Sequence, residues 1–172
     1  MEKLYFVTYA THESGLFKNL INNKYNIKID VLGFNTKWNG FYDKIRALSK
    51  YCKNKPNNSI IVFLDGFDTK INKNPIGLIN DFKKFNTNIL VSSHPKTLPE
   101  YMLFKVFTSC DGENIANSGL FMGYSKDICI MSYKILKLNL SDDQRAMNIV
   151  LRDMKFKVDT NNVIFKNYFL KN

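Results

Sequence analysis

Short apolar runs and longer amphipathic stretches alternate along this chain, separated by polar turns rich in asparagine, lysine and glycine. Leu4 to Tyr9 reads as a first strand, followed by the polar turn Ala10 to Gly15 and helical spacing from Leu16 to Ile21. Ile27, Ile29 and Val31 fall on one face of a second strand that ends at Leu32. Trp38-Asn39-Gly40 interrupts the pattern, and Phe41, Ile45 and Leu48 then line one stripe of a helix reaching Tyr51. Lys55-Pro56-Asn57-Asn58 ends that helix, and Ile60 to Asp65 comes next as a buried strand of β-branched and aromatic residues. Pro75 is predicted in the first turn of a helix carrying Ile76, Ile79 and Phe82, and Asn88 to Ser92 forms a further strand. Ser93 to Asn117 contains Pro95 and Pro99 and no clear period, which predicts a long, irregular connection. Leu120 to Tyr124 then leads into a helix from Ser125 to Leu138. Ser141-Asp142-Asp143-Gln144 resembles a capping box that opens another helix, to Met154. Short strands at Phe156 to Val158 and Val163 to Phe165 close the chain. Strands alternating with helices predict one α/β domain over residues 1–172, with a mostly parallel central sheet flanked by helices.

Composition narrows the partners. At 172 residues, 45% hydrophobic and 14% aromatic, the chain is large enough to bury one core and is unlike a disordered segment. The net charge of +10 favours polyanions, but the lysines are dispersed. The densest basic spots, Lys53 to Lys55 and Lys83-Lys84, are short and lack arginine, so nucleic acid is not the expected partner. Cys52, Cys110 and Cys129 are far apart and odd in number, which suggests neither a disulfide framework nor a zinc site. The opening residues show no signal-peptide pattern and no apolar stretch is long enough to span a bilayer. The sequence therefore predicts a cytoplasmic or virus-infected-host intracellular setting.

Candidate chemistry concentrates at the end of the strand Ile60 to Asp65. Ligands in α/β proteins bind outside the carboxyl ends of strands, and Asp65-Gly66-Phe67-Asp68 places two carboxylates there. Two anionic oxygens suit a hard divalent cation that also touches substrate phosphates. A turn opened by Asp65 and Gly66, with Asp68 capping the next segment, explains the same residues equally well.

Four local features stand in order: Val7-Thr8-Tyr9-Ala10-Thr11, Asp65-Gly66-Phe67-Asp68, Asn117-Ser118-Gly119 and Ser141-Asp142-Asp143-Gln144. With Trp38-Asn39-Gly40, Lys44 and the closing segment Asp159 to Asn167, they resemble the glycosyltransferase domain of procollagen lysyl hydroxylases, a GT-A-type fold, over nearly the whole chain. The resemblance implies that Asp65 and Asp68 hold Mn²⁺ against the diphosphate of a UDP-sugar. It implies nucleotide contacts for Thr8, Lys44 and Phe67, and a sugar pocket lined by Asn117, Ser118, Gly119 and Gln144. Asp142 and Asp143 would face the transferred sugar and acceptor as catalytic carboxylates. Each has a plain structural alternative: a strand threonine, a solvent-facing lysine, an aromatic under a turn, a tight turn before a strand, and acids at a helix start.

The chain departs from the family pattern at two places. A histidine-containing, Gly-rich segment of HGNG type, which in the family supplies a third metal ligand, does not occur in the sequence, and neither His12 nor His94 takes its place in the order. Leu98 stands where the family has a gating aromatic before Pro99-Glu100. The resemblance thus implies a metal-dependent transferase moving a hexose from a UDP-sugar to an acceptor hydroxyl on a protein or glycan. A hydroxylysine-linked site on a collagen-like protein, with retention at the anomeric carbon, is the acceptor it suggests. The alternative is a nucleotide-sugar-binding protein that kept the fold and lost catalysis.

Overall fold

The computed structural model describes residues 2–95 and 99–167. Twelve elements succeed one another among them: β1 (Leu4–Tyr9), α1 (Phe17–Ile21), β2 (Ile29–Leu32), α2 (Phe41–Lys53), β3 (Ile60–Asp65), α3 (Leu78–Lys84), β4 (Ile89–Ser93), α4 (Glu100–Phe107), β5 (Ala116–Tyr124), α5 (Ser125–Leu138), α6 (Asp143–Leu151) and β6 (Phe156–Asp159). The six strands form one sheet in the order β2-β1-β3-β5-β4-β6. Only β5 runs against its neighbours; β2, β1 and β3 pair in parallel, as do β4 and β6. The expected single α/β domain with a mostly parallel sheet is what the chain forms.

Alternation along the strands divides the core in two. Val7, Tyr9, Ile61, Phe63, Val91 and Phe121 face α2, α5 and α6 on one side of the sheet. Phe6, Ile60, Val62, Leu64, Leu90 and Met122 face Leu20 of α1, Phe82 of α3 and Phe165 on the other. The rings of Phe63 and Phe121 stack 4.9 Å apart across β3 and β5, at the middle of the sheet.

Several boundaries differ from the sequence pattern, each for a local reason. The stretch expected to be irregular contains α4, which buries only Leu103 and leaves Tyr101, Met102 and Val106 exposed. With one buried position per two turns, no apolar stripe marks that helix. Pro75 precedes its helix rather than starting it, because Gly77 takes a left-handed conformation and α3 begins at Leu78. Strand β2 starts at Ile29, since the Asn23 side chain already binds the N–H and C=O of Ile27. The expected strand at Val163 to Phe165 is absent: Asp159 accepts the backbone N–H groups of Val163, Ile164 and Phe165 at 2.8–2.9 Å, winding the segment into a turn. Helix α6 is capped by Asp142, whose Oδ1 accepts Arg145 N–H at 2.6 Å, and not by Ser141. Leu98 lies outside the described residues.

The helical layer is tied by a buried charge. Lys44 of α2 pairs with Asp143 at the start of α6, their side chains 10% and 5% exposed. The Lys44 ammonium also lies 5.7 Å above the Phe63 ring. Removing one member of a buried pair leaves a bare charge in a poor solvent. Lys44→Met alone is therefore expected to destabilise the fold by about 3–5 kcal/mol. Lys44→Met combined with Asp143→Leu should recover most of that loss. Urea denaturation of both variants checks this. A double variant no more stable than the single one would show that α2 and α6 are not joined through this pair.

Candidate functional site

The carboxyl ends of β1, β3 and β4 and the start of the opposed β5 meet at one end of the sheet. Asp65 closes β3, and its Oδ1 accepts the Phe67 backbone N–H at 3.0 Å. That bond folds Asp65-Gly66-Phe67-Asp68 back over the strand end as an Asx turn. A Cβ on Gly66 would stand 2.9 Å from the Tyr9 carbonyl oxygen and 3.1 Å from the Thr8 hydroxyl, so the turn lies on β1 only because residue 66 has no side chain. From the other side the loop after β1 clasps the turn, Leu16 N–H donating to the Phe67 carbonyl at 2.7 Å.

The second carboxylate of the turn is disfavoured as an anion. Crowding by surrounding protein, and then the charge of Asp65, push the Asp68 carboxyl above the usual carboxylate range, although Asp68 keeps contact with solvent. Thr69 offsets this slightly through its hydroxyl, which donates to Asp68 Oδ1 at 3.4 Å. Adjacent carboxylates that repel one another are a donor set for a hard divalent cation, which relieves the repulsion directly. The turn offers two such carboxylates. Among the described residues, no group of three or more His, Cys, Asp or Glu side chains is placed to hold a metal.

Asn117-Ser118-Gly119 faces this turn from β5 and is part of that strand, not a turn before it. Pairing with β3 stops at Leu120, opposite Leu64, so residues 116–119 run on past the end of β3. On the β4 side the register jumps, with Val91 opposite Phe121 but Ser92 opposite Asn117, and residues 118–120 bow outward. Asn117 Oδ1 accepts the Gly119 N–H at 2.8 Å. A Cβ at Gly119 would come within 3.4 Å of Asp65 Cβ, which places this segment directly against the Asp65–Asp68 turn.

Backbone groups left without a strand partner are taken up by α6. Asn148, fully buried, accepts Ala116 N–H at 2.7 Å and donates to Ala116 C=O at 3.1 Å. One turn earlier, Gln144 Oε1 accepts Ser118 N–H at 3.4 Å while Gln144 Nε2 meets His94 Nδ1 at 3.1 Å. Sequence reasoning missed Asn148 and His94. The four-residue spacing of Gln144 and Asn148, two amides on the buried face of a helix, was the signal for the first. His94 carries no local signal.

The remaining expected site residues differ in exposure and in what holds them. Phe67 is half-buried, its ring 5.4 Å from that of His12. Exposed Trp38 packs 5.8 Å from Tyr9 and 5.6 Å from Phe41. Thr8 is wholly buried, its hydroxyl without a hydrogen-bond partner beneath Gly66. Lys44 and Asp143, expected in separate nucleotide and catalytic roles, are engaged with each other. Asp142 is half-exposed, with one oxygen committed to the helix cap. A surface hollow of about 490 Å³ beside Cys110, Asp111 and Arg152 is lined by none of these residues.

Known proteins share this arrangement of sequence. The family described as PLOD GT domain matches residues 1–170. The chain is 28% identical over 180 residues to the multifunctional procollagen lysine hydroxylase and glycosyltransferase of Caenorhabditis elegans, covering 94% of this chain and 24% of that protein. It is 26% identical over 140 residues to procollagen-lysine,2-oxoglutarate 5-dioxygenase 1 of Gallus gallus, covering 74% of this chain and 19% of that one. The chain thus spans about a quarter or less of the length of these relatives. The crystal structure of A197 from STIV superposes with a TM-score of 0.50 at 12% identity, over 92% of this chain and 81% of that one, a likeness of fold.

These relatives overturn the setting expected from the sequence. Procollagen lysyl hydroxylases act in the lumen of the endoplasmic reticulum, on the secretory route, and not in the cytoplasm. Among the described residues no helix is long and apolar enough to cross a membrane. With the family model matching residues 1–170 of a mostly parallel α/β sheet domain, the chain belongs to the PLOD family of glycosyltransferase domains.

Proposed function

We propose that this domain binds a UDP-sugar at the Asp65–Asp68 turn and transfers its hexose, with retention, to an acceptor hydroxyl. The observation that carries the proposal is the turn itself: the Asp65 and Asp68 carboxylates on one Asx turn at the end of β3, facing the bowed segment of β5. Asp65 and Asp68 are the residues that would hold Mn²⁺, with oxygens of the diphosphate and water completing its shell. Bound there, the cation supplies stabilisation to the diphosphate as it leaves with negative charge.

The chain's own residues account for the rest. The bond from Phe67 N–H fixes the rotamer of Asp65 before any ligand arrives. The half-buried Phe67 ring and the exposed Trp38 offer flat apolar surface beside the turn for a base. Gly119 leaves space in front of Asp65, and Asn117, whose Oδ1 is used by Gly119 N–H, keeps its amide NH₂ for a sugar hydroxyl. Asp142 keeps a carboxylate oxygen beyond its capping bond, which supports a role in orienting an acceptor hydroxyl or stabilising positive charge at the anomeric carbon. Asp143 serves by holding the start of α6 through Lys44, and Thr8 and Lys44 act as structural supports of the pocket. The names of the relatives support hydroxylysine of a collagen-like protein as the acceptor.

Release of UDP from UDP-glucose and UDP-galactose, with and without Mn²⁺, tests this reading, together with calorimetric titration of UDP. Metal-dependent release is expected, and Asp65→Asn or Asp68→Asn should lower it by well over about tenfold while leaving the thermal midpoint in place. Release that survives unchanged in either variant would remove the metal assignment. UDP binding without release would favour the binding protein that kept the fold. Gly119→Ala adds one methyl 3.1 Å from Asn117 Oδ1 and 3.4 Å from Asp65 Cβ. It should weaken metal-dependent UDP binding with little change in stability, and equal affinity in the variant would place the donor away from β5.

A further inference from the structure

We infer that His94 is a positioning residue for the Asn117–Gly119 segment, acting through Gln144 from the end of β4. The chemistry stems from one fixed donor. Ser118 N–H can only donate, so the Gln144 side-chain oxygen must face it, and the Gln144 NH₂ must face His94. His94 Nδ1 is then the acceptor, and the imidazole is neutral with its proton on Nε2. Both ends of the Gln144 amide are thereby determined, and with them the Ser118 amide of the bowed segment.

The groups packed against the ring favour that state. The Phe107 ring of α4 lies 4.9 Å from it, and Gln144 meets it from α6. On its own strand, His94 N–H donates to the Ile115 carbonyl at 2.7 Å. Neither Phe107 nor Gln144 carries a charge, and burial alone lowers the His94 imidazole below its ordinary value of 6.5. A histidine whose folded value is depressed lends its stability to the neutral state, present above the unfolded value and lost as pH falls through the folded one. Protonation turns Nδ1 into a donor facing the donor NH₂ of Gln144, so the amide has to turn over or withdraw, and the Ser118 N–H loses its acceptor. Through Gly119, which lies against Asp65, the change reaches the donor turn.

Nuclear magnetic resonance of the whole domain, from about pH 5 to 8, reads this directly. The backbone amides of Ser118 and Gly119 should shift with the midpoint of the His94 ring protons. In His94→Asn, whose side-chain oxygen can accept from Gln144 but does not titrate, the two amides should keep their high-pH positions throughout. In His94→Phe they should be displaced at every pH. Amides that ignore His94 protonation in the unaltered domain, or that still titrate in His94→Asn, would overturn the inference. Its functional consequence rests on the donor-site reading above: UDP affinity should fall through the same midpoint in the unaltered domain and stay level in His94→Asn. Amides that respond while UDP affinity does not would leave the positioning role standing and count against the donor site.

Discussion

A helix that turns a carboxylate and two amides toward a sheet can dock only where each of them finds a partner, and that requirement organises this domain. Helix α6 buries Asp143, Gln144 and Asn148 together with Ala146, Met147 and Val150. An unpaired buried amide costs on the order of 1–3 kcal/mol, and a bare charge costs more. The partners are drawn from the three places that bound the site. Lys44 comes from α2, the Ala116 and Ser118 backbone from the overhang of β5, and His94 from the end of β4. The overhang, in turn, is tolerable only because α6 covers it. Strand β5 outruns β3, and its free amides would otherwise face no acceptor. The position of the bowed segment before Asp65 is thus a result of polar pairing more than of apolar packing.

The Asp65–Asp68 turn is assembled on the opposite logic. Burial and the charge of Asp65 raise the Asp68 carboxyl, and the Thr69 hydroxyl offsets them only slightly. Around the two carboxylates the scaffold is rigid: a glycine pressed on β1, a carbonyl clasped by Leu16 N–H, an Asx bond within the turn. The turn's backbone is pinned by hydrogen bonds while its second carboxylate is left with little to offset its neighbour.

How much of this was legible in the sequence depends on separation along the chain. The strand Ile60–Asp65, with Asp65 at its end and Asp68 just beyond, is local, and it stands where the pattern put it. Lys44 and Asp143 were each visible as candidate site residues, but nothing local pairs residues so distant in sequence, so each was expected to meet a ligand. Thr8 sits correctly in its strand, yet its burial depends on Gly66, another strand's turn. Val163 to Phe165 has strand-like composition, but a single aspartate, Asp159, occupies three of its backbone donors. Helix α4 went unread because it covers little: with one wholly buried side chain it has no face for periodicity to report.

The lone reversed strand also holds the sheet together. Strands β2, β1 and β3 pair among themselves, and β4 pairs with β6. No ladder joins these two halves except β5, which contacts β3 on one edge and β4 on the other. Without residues 116–124 the sheet would be two fragments, β2-β1-β3 and β4-β6, each with a raw inner edge. The segment that faces the donor turn is therefore also the seam of the whole sheet, and a ligand that orders it would act as a rivet across both halves.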